Sequence, residues 1–184
     1  MKRLQFFLLL AVLFLANNAG QCLASNRHDF ELGASCNVYA FGWKPAARAL
    51  GPGVYFEYKF RILDYLSVGA RADYMFSKEA KYDGATSLGN YNQGGLQILA
   101  DLHLPYSRAV SPFISVLFGP GYGAKSKSGQ VSSQEFYLSY GARIGVRIKD
   151  KVSISFMHAF DYDPKNNRVW GLYSSIGLAV GYCF

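Results

Sequence analysis

The feature that most constrains this chain is a period of two. In the stretch LYSSIGLAVGYCF, from Leu172 to Phe184, one set of alternate positions is Leu172, Ser174, Ile176, Leu178, Val180, Tyr182 and Phe184. The residues between them are Tyr173, Ser175, Gly177, Ala179, Gly181 and Cys183, mostly small. Successive side chains of a pleated strand project to opposite sides, so this pattern predicts a strand with one oily face. The same alternation recurs along the chain. It sets Leu32, Ala34, Cys36 and Val38 on one face of 30–41, and Val54, Phe56, Tyr58 and Phe60 on one face of 54–61. In 65–76 and 96–106, Leu66, Val68, Tyr74, Leu96, Ile98 and Leu102 oppose Arg71, Asp73, Gln97 and Asp101. In 112–124, 135–149 and 152–162, Ile114, Phe118, Phe136, Ile144, Ile154 and Phe156 oppose Ser115, Gly119, Arg143, Arg147, Ser153 and Asp161.

Eight alternating strands of about ten residues, following one another in sequence, predict an all-β, antiparallel, up-and-down barrel. The composition agrees: the aromatic share is 16%, glycines number 19 and only 17% of residues are charged. Alternation alone leaves the orientation of the faces open, since a soluble ligand-binding barrel would bury its oily side. The lumen of eight strands is just wide enough to be filled by side chains, and this much Phe, Leu and Tyr would crowd it. The opposite face offers small residues and isolated charges, which fit. Oily outside and polar inside is the pattern of a transmembrane β-barrel.

The first residues stand apart. Met1-Lys2-Arg3 is a basic start, followed by an apolar run from Leu4 to Ala16 and then small and polar residues. This reads as a secretory signal peptide over 1–24, cut after Ala24, with the barrel over 25–184. The run is short of the roughly 20 residues that a spanning helix needs. Loss of Lys2 and Arg3 takes the net charge from +7 to +5. Of the three cysteines, Cys36 and Cys183 remain, on opposite strand faces, so two free thiols are expected rather than a disulfide.

Connections over 42–53, 77–95, 125–134 and 163–168 read as long, and those over 62–64, 107–111 and 150–151 as tight, as expected of long outer loops and short periplasmic turns. Aromatic residues collect at strand ends, where interfacial girdles belong. Tyr58, Phe60, Tyr106, Tyr182 and Phe184 would mark the periplasmic rim, and Tyr74, Phe76, Tyr122, Tyr162 and Trp170 the outer one. With the ending Tyr182-Cys183-Phe184 these features resemble the small outer-membrane β-barrels of the OmpA/OmpX type, over the whole of 25–184. The resemblance implies a Gram-negative outer-membrane location and contact with outer-membrane lipid and lipopolysaccharide. It also implies that Tyr182 and Phe184 act as an assembly signal for the barrel-assembly machinery. It carries over no catalytic residue.

The inward register collects acids and bases in equal number: Glu31, Glu57, Asp73, Asp101, Glu135 and Asp161 against Lys59, Arg61, Arg71, Arg143, Arg147 and Lys149. Such a balance is what a nearly dry interior needs, because an unpaired buried charge is far costlier than a paired one. Pairing of Arg71 with Asp101 and of Lys59 with Asp73 across neighbouring strands is expected. The expectation is a lumen plugged by charged side chains, in a protein with a structural or surface-interaction role.

A lipid A-modifying enzyme of the same fold and a small-solute pore are the alternatives. For the enzyme, His158 is the candidate, being lipid-facing near the outer end of its strand, but the position two residues on is Phe160, not serine. His28 and His103 fall toward the periplasmic side. Asp161-Tyr162-Asp163-Pro164 is read as a polar turn rather than a calcium loop, there being no further acids nearby. No CxxC, phosphate-binding glycine loop or HExxH occurs, so no cofactor or metal is expected. The basic excess, in Lys44, Arg48, Lys125 and Lys127, is assigned to outer loops that could meet lipopolysaccharide phosphates, and not to nucleic acid.

If Phe184 is an assembly signal, removing it should lower the folded amount in the outer membrane far more than Ile176→Ala, which loses about 1 kcal/mol of apolar contact. Quantifying both variants in outer-membrane fractions checks this. Equal yields would make Phe184 an ordinary girdle residue.

Overall fold

The computed structural model describes residues 27–41, 47–82, 86–104, 109–127, 130–162 and 173–184. The segment 1–24 read as a signal peptide, together with Lys44, Tyr106 and Trp170, lies outside them. The elements are eight strands: β1 (His28–Phe41), β2 (Ala47–Leu63), β3 (Leu66–Tyr82), β4 (Thr86–His103), β5 (Val110–Lys127), β6 (Gln130–Ile148), β7 (Val152–Tyr162) and β8 (Tyr173–Cys183). Each pairs antiparallel with its sequence neighbours, and β1 pairs with β8 from Glu31↔Cys183 to Phe41↔Tyr173, closing the barrel. Closure leaves no sheet edge, which hydrocarbon would not tolerate.

The alternation read from the sequence sets the two surfaces. Ile98 is 67% exposed and its neighbour Leu99 only 3%. Leu32, Val54, Leu96, Val116, Phe118, Ile144, Leu178 and Val180 join Ile98 on the outer wall. Cys36 is exposed and Cys183 buried, and both thiols are free.

Two boundaries differ from expectation. Three of the four stretches read as long outer loops are largely strand: β2 starts at Ala47, β3 runs to Tyr82, β4 starts at Thr86, and β5 and β6 reach Lys127 and Gln130, while the fourth, 163–168, lies outside the described residues. Arg48, Lys125 and Lys127 therefore sit on strands, not in loops. A membrane crossing takes about 9–11 residues of tilted strand, whereas β6 has 19, so the wall continues beyond the lipid. The outward face records the transition. Tyr74, Gly94, Tyr122 and Phe136 share one rung, and the next rung outward carries Phe76, Asn92, Ala124 and Gln134.

The second difference is Lys149. It is exposed, with φ 50, beside Asp150 at φ 55. The Lys151 amide donates to the Ile148 carbonyl at 3.0 Å, so Lys149 and Asp150 are the central residues of a type I′-like turn. A residue that makes this turn cannot also extend the inward face.

Closure has a direct signature. Unboiled protein in detergent should migrate differently on a gel from boiled protein, with β-type circular dichroism. Identical migration with helical dichroism would contradict the barrel.

Candidate functional site: the barrel lumen

The narrow interior is built from the odd-numbered side chains of all eight strands. At mid-height three cations and three carboxylates meet. Lys59 Nζ lies 2.8 Å from Glu31 Oε2, 2.8 Å from Glu57 Oε2 and 3.0 Å from Asp101 Oδ2. Arg143 grips Glu57 with both prongs, Nη1 to Oε1 at 2.6 Å and Nη2 to Oε2 at 2.9 Å, the geometry that gives guanidinium–carboxylate pairs their strength. Arg71 Nη1 donates to the same Glu57 Oε1 at 2.7 Å. Lys59, Arg71, Arg143, Glu31, Glu57 and Asp101 are all essentially inaccessible to solvent, and their formal charges cancel.

Neutral groups complete the packing. Tyr55 OH and Ser153 Oγ donate to Glu31 Oε1 at 2.8 and 2.5 Å, and Arg143 Nε donates to Ser115 Oγ at 3.3 Å. The Arg71 guanidinium sits 4.1 Å from the Tyr55 ring centroid, and Arg143 sits 5.0 Å from that of Phe113, both within cation–π range. The Tyr55 ring fits because its neighbours on β1 and β8 are Gly33 and Gly181: a Cβ on either would overlap it. These inward aromatics, with Met75, Leu99, Leu117, Tyr137 and Met157, make the lumen more apolar than charge counting suggested.

Arg71 and Lys59 choose other partners than expected. Arg71 pairs with Glu57 and, at 3.4 Å, with Asp73, and Lys59 pairs with Asp101. Register explains the exchange. Arg71 stands level with Glu57 on β2 and Gln97 on β4, so Asp101 is four residues away along β4, about 13 Å at the rise of an extended strand.

Toward the periplasmic mouth, Arg147 Nη1 and Arg61 Nη2 both reach Asp29 Oδ2 at 3.4 Å, and the Arg61 side chain is 35% exposed. Asp29, on the face of Glu31, lies outside the 30–41 strand expected from the sequence, because β1 starts two residues earlier, at His28. His103 is inward and buried, with Nε2 3.3 Å from Ser67 Oγ. Toward the outer mouth stands Asp161, 2% exposed, accepting from Gln93 Nε2 at 2.9 Å. Of Glu135 only its inward register position, opposite Gly123, is described. Lys149 has left the set for the turn.

The other candidates lie outside the lumen. Tyr182 and Phe184 point outward, their rings edge-to-face at 5.1 Å, and the Phe184 amide donates to the Phe30 carbonyl at 2.8 Å. His158 packs its ring on Phe160 at 4.3 Å, with Ala142 and Ile176 as register partners.

The family model for the outer membrane protein beta-barrel domain matches residues 6–184. Among solved structures, Neisserial surface protein A aligns with a TM-score of 0.60 at 14% identity, covering 85% of this chain and 97% of that one. Ail, the attachment invasion locus protein of Yersinia pestis, aligns at 0.52 with 15% identity, covering 87% and 100%. The outer membrane enzyme PagL aligns at 0.52 with 15% identity, covering 81% and 97%. No curated protein sequence matches the chain. The chain belongs to the outer membrane protein β-barrel domain family, and its place is the bacterial outer membrane.

Proposed function

We propose that this protein is a plugged outer-membrane barrel, acting through its structure and its outer surface rather than as a general pore or an enzyme. The observation that carries this reading is the neutral six-residue cluster at mid-lumen, in which Lys59, Arg71 and Arg143 are each held by buried carboxylates. A conducting path needs continuous water, and these side chains with Tyr55 and Phe113 occupy the cross-section of a lumen that eight strands make only wide enough for side chains.

The fold does not decide between an attachment protein and an enzyme, since both appear among its structural neighbours, and the site must decide. His158 stands among Phe160, Ala142 and Ile176, the setting of an interfacial aromatic rather than of a general base oriented by a carboxylate. That supports the non-catalytic reading. On the outer wall, the apolar belt and its aromatic rungs supply the contact with membrane lipid, and lipopolysaccharide is the partner proposed for the wall beyond it.

Planar-bilayer recording of purified wild-type protein should show no steady open-channel conductance. Steady conductance would overturn the plug and favour the small-solute pore. Arg143→Ala leaves Glu57 and Asp101 short of a cation and should destabilise the fold by about 3–5 kcal/mol in urea titrations, with little change in permeability.

A further inference from the structure

Buried polar atoms without hydrogen-bond partners are distributed unevenly along the lumen. Toward the periplasmic end they include the donors Arg61 Nε and Arg147 Nε and Nη2, together with both oxygens of Asp101, which Lys59 compensates at 3.0 Å. Apart from Asn37 Oδ1 on β1, those in the outer half are three acceptors: Asp161 Oδ1, Gln93 Oε1 and Gln97 Oε1. All three outer residues are more than nine-tenths buried. An unsatisfied buried acceptor carries its full desolvation cost, larger still when charged.

These acceptors belong to one place. Gln93 reaches across the lumen from β4 and donates Nε2 to Asp161 Oδ2 at 2.9 Å. Its amide orientation follows from that contact, because the opposite flip would set oxygen against carboxylate. Gln97, four residues further along the same face of β4, donates Nε2 to Ser139 Oγ at 3.2 Å. Ser139 is the cross-strand partner of Asp161. Both glutamines thus spend their donors on the β6–β7 wall and keep their carbonyl oxygens free. Among the described residues no lysine or arginine pairs with Asp161. Arg71, which pairs with Asp73 at 3.4 Å, is committed more closely to Glu57 at 2.7 Å.

We propose that the outer half of the lumen is a binding site for a hard cation, liganded by Asp161 Oδ1 with the side-chain carbonyl oxygens of Gln93 and Gln97. Hard cations take carboxylate and amide oxygens as ligands and keep water in the remaining positions. A cation answers all three acceptors together with a carboxylate that, among the described residues, has no cationic partner. Among the described residues no three His, Cys, Asp or Glu side chains are placed to hold a metal ion together, so the site is a weak, carbonyl-rich one, with a dissociation constant of about 10⁻⁴–10⁻³ M. Asp161 is the penultimate residue of β7 on its outer side, so access is from outside. Gln97 stands level with Arg71 while Asp161 and Gln93 lie outward of the central ion pairs, and the site does not depend on whether those pairs block conduction.

The test uses barrel refolded in detergent, free of lipopolysaccharide and stripped with chelator. CaCl₂, MgCl₂ and NaCl are titrated separately at constant ionic strength, and the urea midpoint and the binding heat are read. A saturable rise of the midpoint with one-site binding heat for at least one cation is expected. Asp161→Asn should weaken that binding at least tenfold, while Asp29→Asn at the periplasmic mouth should leave it unchanged. Wild-type protein insensitive to all three cations overturns the site, as does Asp161→Asn binding like wild type. A midpoint that responds to acidification but to no cation also overturns it, in favour of a proton on Asp161. Should Asp161→Asn fail to fold, Gln97→Met replaces it, and undiminished binding by that variant overturns the proposal.

Discussion

A backbone amide in hydrocarbon has no water to fall back on, and the molecule is organised by that fact. Pairing β1 with β8 from Glu31↔Cys183 to Phe41↔Tyr173 satisfies the last two strand edges. Once the sheet closes with eight strands, its radius is set, and the interior has room for side chains but for little else. The apolar residues must then face lipid. The polar ones are committed to a space where each must find a partner.

The interior meets that demand by crowding opposite charges. Glu57 is the hub, since Lys59, Arg71 and Arg143 all lie within 2.8 Å of its two oxygens. One carboxylate cannot balance three cations, and Glu31 and Asp101 bring the cluster to neutrality. Buried ion pairs of this kind recover their desolvation cost only when the remaining donors and acceptors are satisfied. Here Tyr55, Ser115 and Ser153 supply hydrogen bonds and the faces of Tyr55 and Phe113 cover the guanidinium groups. Asp101 is held at ion-pair distance by Lys59 without an aligned hydrogen bond, which makes it the loosest member.

Much of this was legible in the sequence because a closed barrel writes one bit per residue. Alternation separated Leu178 from Ala179 and Ile98 from Leu99, and so yielded the strand number, the two faces and nearly all the inward charges. It failed where other physics takes over. Beyond the lipid, the outward positions Asn92 and Gln134 are polar and the oily rhythm stops, while the backbone pairing of the strands continues. Ion-pair partners depend on the register between strands, which no single segment encodes; hence Arg71 was matched with Asp101 rather than Glu57. Lys149 follows the alternation of β6, but its positive φ assigns it to the turn. Asp29 needed only one more residue of strand to be found. The unanswered oxygens of Gln93 and Gln97 had no signal in the sequence, because they depend on which end of each amide meets β6 and β7.

The central claim is that the lumen is held by mutual pairing rather than by separate contacts. A double-mutant cycle on Glu57→Ala and Arg143→Ala, followed by reversible urea unfolding in detergent, tests it most directly. Paired as a bidentate buried couple, the two should show a coupling energy of about 3 kcal/mol, the upper end for interacting side chains. The double variant would then be far less damaged than the sum of the single variants. Additive losses, with coupling below about 0.5 kcal/mol, would contradict the account.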